Sequence, residues 1–76
     1  MTRNYVWIAH FIDPIDHQEK VRFISAISVY TAEIRAQRAF ALRKGEVTCI
    51  GGYNSIDDAR ACAAILYPDL VEEEIA

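Results

Sequence analysis

The stretch YVWIAHFI, from Tyr5 to Ile12, decides how this chain folds. Seven of its eight residues are apolar, and His10 is the exception. A strand with one face in water alternates apolar and polar residues, whereas a strand buried on both faces is a continuous apolar run. The aromatic and β-branched content favours a strand that ends at the Asp13-Pro14 pair. The sequence therefore raises the question of what covers the second face of this strand.

The length and composition indicate one small, apolar domain over residues 1–76, with 53% apolar residues. A domain of this size buries only about 60–65% of its unfolded surface, so apolar surface stays exposed or is covered by a partner. No stretch approaches the ~20 apolar residues of a membrane span. The N-terminal stretch lacks the features of a signal peptide, and two cysteines do not make a disulfide framework. We expect a cytoplasmic protein that does not enter a membrane.

Residues 20–29, KVRFISAISV, fit two different elements. Their β-branched and aromatic content favours a strand. The alternative is one long helix with Asp13 as N-cap and Pro14 in the first turn, running on to Lys44. We favour the strand, because a helix of about 30 residues is long for so small a domain.

A helix is predicted from Ala32 to Lys44, with Thr31 as its N-cap and Gly45 at its left-handed end. Two apolar stripes lie on the wheel of this helix: Ala32, Ala36, Ala39 and Phe40 on one side, and Ile34, Ala41 and Leu42 roughly opposite. A surface helix usually has one apolar face. The second stripe therefore indicates a further contact surface.

The last third of the chain predicts a strand followed by a helix. The strand runs from Glu46 to Tyr53, and its Gly51-Gly52 pair indicates a bulge or a close backbone approach. Ser55 begins the helix with a short-armed capping box, and Pro68 ends it. The predicted inner stripe is Ile56, Ala59, Ala63 and Leu66, with Cys62 beside it. An acidic C-terminal tail follows, whose Leu70, Val71 and Ile75 have the character of docking residues.

The predicted element order is β-β-α-β-α, an α+β fold of two layers. A right-handed crossover that carries a helix from the second strand to the third leaves a gap for the first strand. The sheet order is then 2-1-3, and we expect both helices on one face, over Val6, Ile8, His10 and Ile12. The opposite face, with Tyr5, Trp7, Ala9 and Phe11, has no cover within the chain in this arrangement.

Catalytic and metal-binding patterns are weak in this sequence. The soft metal ligands are Cys49, Cys62, His10 and His17, and they form none of the local pairs that nucleate a zinc site. A nucleophile pair of Cys49 and His10 would still need an oxyanion pocket and an orienting carboxylate. The Gly-Gly pair matches neither G-x-G-x-x-G nor a P-loop. We therefore expect a non-enzymatic protein without a cofactor or metal.

The charge is unevenly distributed: residues 20–45 carry +5 and residues 46–76 carry −6. Arg35 and Arg38 lie one helical turn apart, and Arg22, Arg43 and Lys44 extend a basic patch that suits nucleic-acid phosphates. The acidic residues Asp57, Asp58, Asp69, Glu72, Glu73 and Glu74 suit mimicry of nucleic acid. The commoner roles of such charges are solvated faces and salt bridges between subunits.

These features favour a small protein-interaction module that is homodimeric and acts by stoichiometric binding. Inhibitors and adaptors, including the anti-defence proteins of phages and mobile elements, are often this small. The alternative is a regulator that binds or mimics nucleic acid. The predicted protein interface consists of Tyr5, Trp7, Phe11, Ile34, Arg35, Arg38 and Leu42. Because buried Trp dominates interface energetics, we expect Trp7→Ala to weaken assembly far more than folding.

Overall fold

A computed structural model describes residues 3–70 of the chain. The elements are β1 (Tyr5–Ile12), β2 (Glu19–Ala26), α1 (Val29–Ala39), β3 (Val47–Tyr53) and α2 (Ile56–Leu66). The α+β class and the element order are as predicted. Most of residues 20–29 form β2, so the strand interpretation is confirmed and the single long helix is wrong.

The three strands form one antiparallel sheet in the predicted order, β2-β1-β3. The apolar stretch is its central strand, and Ile8 lies opposite Phe23 in β2 and Ile50 in β3. In the β1–β2 connection, the Asp13 carboxylate accepts the backbone N–H of Ile15 at 2.8 Å. This side-chain bond within the turn is typical of Asp at the start of a tight connection.

The two helices lie on opposite faces of the sheet, so the prediction that both cover one face is wrong. The α1 side holds the buried residues Ala9, Phe11, Ala26, Ala32, Ala36, Leu42, Val47 and Cys49. The α2 side holds the buried residues Ile8, Val21, Ala59 and Ala63. Neighbouring residues of a strand point to opposite faces. Ala9 under α1 and Ile8 under α2 therefore place a helix on each side of β1, in three layers rather than two.

The order of elements explains this arrangement. The handedness rule constrains only α1, because α1 alone connects two parallel strands of the sheet. No strand within residues 3–70 follows α2, so its face is decided by which apolar surface still needs cover. Ala36 of α1 and Ala63 of α2 are fully buried, and their small side chains let each helix approach the sheet closely. The second face of β1 is thus covered by its own chain.

Helix α1 begins and ends earlier than its sequence pattern predicts. Its N-cap is Ser28, whose Oγ accepts the backbone N–H of Thr31 at 3.2 Å. At its end, the backbone N–H of Leu42 donates to the carbonyl of Gln37 at 2.8 Å, and Ala41 adopts a left-handed φ of 56°. This early end turns Leu42 into the core on the α1 side.

Candidate protein-binding surface

An open hollow lies at one end of the sheet, where β1 begins and where β2 and β3 end. It is lined by Tyr5, Trp7, Ile27, Ser28, Val29 and Gly52. Its volume is about 340 Å³. Two of the predicted interface residues, Tyr5 and Trp7, are thus brought together with residues of the β2–α1 connection.

Gly52 makes room for the aromatic residues of this hollow. Trp7 pairs with Gly51 and Val6 with Tyr53, so Gly52 is an extra residue in β3, which confirms the bulge expected at the Gly-Gly pair. A Cβ atom at Gly52 would lie 2.8 Å from Cβ of Tyr5 and 3.0 Å from Cζ2 of Trp7. Real Cβ atoms do not approach other atoms so closely. The absence of a side chain at Gly52 therefore lets Tyr5 and Trp7 lie against the sheet.

Trp7 belongs both to the hollow and to the interior. Its indole N–H donates to the carbonyl of Ala26 at 2.9 Å, and its ring packs against the core on the α1 side. A buried Trp usually finds a partner for its N–H in this way, while its ring supplies apolar contact. Replacing Trp7 therefore affects folding as well as contact, and residues around it are better probes of binding.

Three exposed apolar residues, one in the β2–α1 connection and two at the start of α1, border the hollow. Ile27 is 47% exposed, Val29 41% and Tyr30 71%. Tyr30 also lines a second hollow along α1, together with Ile34. We call the apolar residues of the two neighbouring hollows the Trp7 surface, which consists of Tyr5, Trp7, Ile27, Val29, Tyr30 and Ile34. Contiguous exposed apolar surface of this kind is typical of interaction sites.

Phe11 and Leu42 do not belong to this surface, contrary to the prediction. Phe11 is 3% exposed and Leu42 8%, and both lie in the core on the α1 side. The ring of Phe11 stacks on the ring of Phe40, just after α1. Phe11 was assigned to a contact surface because both helices were expected on the other face of the sheet, and Leu42 because it lies on the second apolar stripe of the predicted helix. Their apolar contacts are made within the chain.

The two predicted arginines lie on α1 and are exposed. The guanidinium of Arg35 donates to the backbone carbonyl of Ser25 in β2. This contact ties α1 to the edge of the sheet. Arg38 lies one turn further along the helix, near its C-terminus, where a positive charge is favourable to the helix dipole.

Ile27, Val29 and Tyr30 were not among the predicted contact residues. Ile27 and Val29 were assigned to the second strand, which ends at Ala26. The spacing Ser28-x-x-Thr31 is the signal that could have revealed them, because it is an N-cap pattern that places a turn at residues 27 and 28.

The candidate catalytic pair is separated by the sheet. Cys49 lies opposite Ala9 and under α1, whereas His10 lies opposite Thr48 on the α2 side. Burial, with a smaller effect from the charge of Glu33, raises the pKa of the Cys49 thiol to about 11. A thiol with this pKa is protonated at neutral pH and is a poor nucleophile.

The remaining ligand candidates have other neighbours. His10 contacts the Glu19 carboxylate, and its ring stacks on Tyr67 at 4.6 Å. The hydroxyl of Tyr53 donates to the Cys62 sulfur at 2.9 Å. This bond, together with burial, raises the pKa of Tyr53 to about 12. His17 is exposed in the β1–β2 connection, and within residues 3–70 no three metal-ligating side chains are grouped.

Part of the positive charge of residues 20–45 is neutralised by nearby carboxylates. The Lys20 ammonium lies 2.8 Å from carboxylate oxygens of both Asp13 and Asp16. The hydrogen bonds from Lys20 lower the pKa of each carboxyl group below its usual value. Lys20 therefore contributes little net charge to the surface.

The C-terminal expectations are only partly covered by the structure. Leu70 packs against the core on the α2 side, so its predicted docking is confirmed. Val71, Ile75 and the acidic residues Glu72, Glu73 and Glu74 lie outside the described residues.

Comparison of the chain with protein-family models, with curated proteins and with solved structures gave no match. In the described part of the chain, no helix combines the length and the apolar character needed to cross a bilayer.

Proposed function

We propose that this protein is a small non-enzymatic interaction module that binds another protein stoichiometrically through the Trp7 surface, as an inhibitor or adaptor. The observation that carries the proposal is the exposure of Ile27, Val29 and Tyr30 beside a hollow lined by Trp7. Helices cover both faces of the sheet, so the core is complete within the chain. The exposure of these three side chains is therefore not the result of an unfinished core. Aromatic residues at such a site are typical of the energetic centre of protein interfaces.

The size of the hollow fits a side chain of a partner better than a cofactor. Its volume of about 340 Å³ is at the lower end of the range for ligand pockets, roughly 300–1,000 Å³. The hollow is also open, so a bound molecule would keep much of its surface in water unless a larger partner covered it. A protein that inserts an apolar side chain and covers the surrounding rim would remove both the inserted side chain and the hollow from water.

Binding to nucleic acid draws less support from the structure. Lys20 is paired with two carboxylates, and the guanidinium of Arg35 is bonded to the Ser25 carbonyl. Phosphate binding would have to compete with these contacts.

The two free thiols suit a reducing compartment, and we place the module in the cytoplasm, acting as a homodimer.

Affinity capture from an extract of the native host tests this proposal. The wild type is compared with the double variant Tyr30→Ala/Ile34→Asp and with Ile65→Asp, a control on α2 whose side chain is 80% exposed. We expect the wild type and Ile65→Asp to retain the same partner in stoichiometric amounts and the double variant to lose it. Equal retention of the partner by the wild type and both variants, or retention of nucleic acid that high salt removes, would refute the proposal.

A further inference from the structure

The three-stranded sheet has two outer edges, and they differ in chemistry. β1 lies in the centre, so β2 and β3 each pair on one side only within the described residues. The unpaired N–H and C=O groups of an edge strand are a template for pairing with another strand, and proteins usually block such edges.

Arginine side chains occupy the edge of β2. The guanidinium of Arg22 donates to the carbonyl of Val21 at 2.8 Å, and the guanidinium of Arg35 donates to the carbonyl of Ser25. β2 also contains Glu19 and Lys20. Charged side chains and occupied carbonyls disfavour the addition of another strand at this edge.

The edge of β3 has neither feature. In β2, arginine side chains bond to the carbonyls of Val21 and Ser25. The backbone groups of the odd-numbered residues of β2 therefore point away from β1, and those of the even-numbered residues bond to β1. Following the register across the sheet, β1 bonds to β3 through its own even-numbered residues, such as Ile8 with Ile50. The backbone groups of Val47, Cys49 and Gly51 then point away from the sheet. No partner outside β1 bonds to them among residues 3–70, and the strand VTCIGGY carries no charge.

We propose that a second copy of this chain pairs its β3 with this β3, in antiparallel orientation, to form a continuous six-stranded sheet from two three-stranded ones. A twofold axis near Thr48 places Val47 opposite Cys49 of the second copy and the two Thr48 residues opposite each other, and all of these are uncharged. Pairing of β2 with β2 would instead bring together the Lys20 and Arg22 side chains of two copies. Pairing of β2 with β3 would not close and would continue into a filament.

The inference deepens the proposed function, since it names the surface through which the homodimer forms, and it uses residues outside the Trp7 surface. The two can therefore fail separately. If the chain is a monomer but the Tyr30→Ala/Ile34→Asp variant still loses its partner, the homodimer fails and stoichiometric binding through the Trp7 surface stands.

Sedimentation velocity on the wild type, Thr48→Lys and Ser25→Lys tests the inference. Thr48 and Ser25 are exposed residues on opposite edge strands, and both face the α2 side, so they form a matched pair. We expect the wild type and Ser25→Lys to be dimers and Thr48→Lys to be a monomer, because two lysines would face each other across the axis. A monomeric wild type, a dimeric Thr48→Lys or a monomeric Ser25→Lys would overturn the inference.

Amide hydrogen exchange on the wild type gives a second readout if Thr48→Lys does not fold. We expect the exchange of the Val47 and Cys49 amides to become more than tenfold slower as protein concentration rises through the dimerisation range. The outward amides of β2, such as Phe23, should not change. Protection in β3 that is independent of concentration, or protection that grows in β2 instead, would contradict the proposed pairing.

Discussion

The rings of Phe11 and Phe40 stack, with their centroids 4.6 Å apart and their planes 19° apart. Phe11 lies in the central strand, and Phe40 is the C-cap residue that follows α1. The contact shows that α1 covers the face of β1 that the sequence left without an obvious cover. A partner protein is thus not needed to complete the core, and the proposed binding is assigned instead to the residues around the hollow.

Replacing Phe11 should therefore destabilise the fold strongly. We expect Phe11→Ala to lower the free energy of unfolding by about 3–5 kcal/mol, the range for a buried Phe that leaves a cavity. Tyr30→Ala, an aromatic control that is 71% exposed, should change it by no more than about 0.5 kcal/mol. Urea unfolding monitored by circular dichroism measures both. Similar small effects for the two variants would mean that Phe11 is not enclosed by α1.

The close approach at Gly52 predicts a change in the fluorescence of Trp7, which is the only tryptophan in the chain. A Cβ at Gly52 would displace the rings of Tyr5 and Trp7, so we expect Gly52→Ala to shift the Trp emission maximum and to cost about 1–3 kcal/mol of stability. The control is Gly45→Ala, where φ is +89° but no atom lies within 4 Å of the added Cβ. It should cost about 1 kcal/mol and leave the emission unchanged. An unchanged spectrum for Gly52→Ala would contradict the geometry.

The ion pairs of Lys20 predict a loss of stability in acid. The pKa values of Asp13 and Asp16 are lowered from the ordinary 3.8 by their hydrogen bonds to Lys20. A carboxyl group whose pKa is lower in the folded state stabilises the fold above its unfolded pKa, and this contribution disappears as the pH falls below about 4.

Unfolding measured between pH 7 and pH 2 tests this point. Lys20→Met should have a flatter dependence of unfolding free energy on pH below 4 than the wild type. Lys44→Met, which removes an exposed lysine, should keep the wild-type slope. If both variants have the same slope as the wild type, the ion pairs contribute nothing in solution.

The two cysteines should differ in reactivity. Cys49 is buried with its pKa raised to about 11, whereas Cys62 is only partly buried. In a titration with an aromatic disulfide reagent at pH 8, we expect one fast thiol, assigned to Cys62, and one slow thiol. The Cys62→Ser variant should retain only the slow phase. Because the sheet separates the two residues, detection of an intrachain disulfide under native conditions would contradict the fold.

The strand order could be predicted from the sequence, because chain order and crossover handedness leave one simple gap for the apolar strand. The placement of α2 could not be derived from handedness, since no strand within residues 3–70 follows it. The unbroken apolar run in β1 did indicate that both faces of this strand are covered. Such runs are typical of strands covered on both faces, and the missing cover was wrongly assigned to a partner.

The candidate site was only partly accessible to sequence reasoning. Tyr5, Trp7 and Ile34 were identified from aromatic content and from the outer stripe of α1. Ile27 and Val29 were not, because β propensity favoured a strand through both residues, whereas Ser28 ends it by capping α1. Local capping here outweighs the strand propensity of its neighbours.

The most direct test of the central claim is the free energy of binding of the captured partner, measured by isothermal titration calorimetry for the wild type and Tyr30→Ala. We predict one partner per chain and a loss of about 2 kcal/mol or more, roughly a 30-fold weaker affinity, while the free energy of unfolding stays unchanged. The control Ile65→Asp should bind like the wild type. Equal affinity of Tyr30→Ala and the wild type would contradict binding through the Trp7 surface.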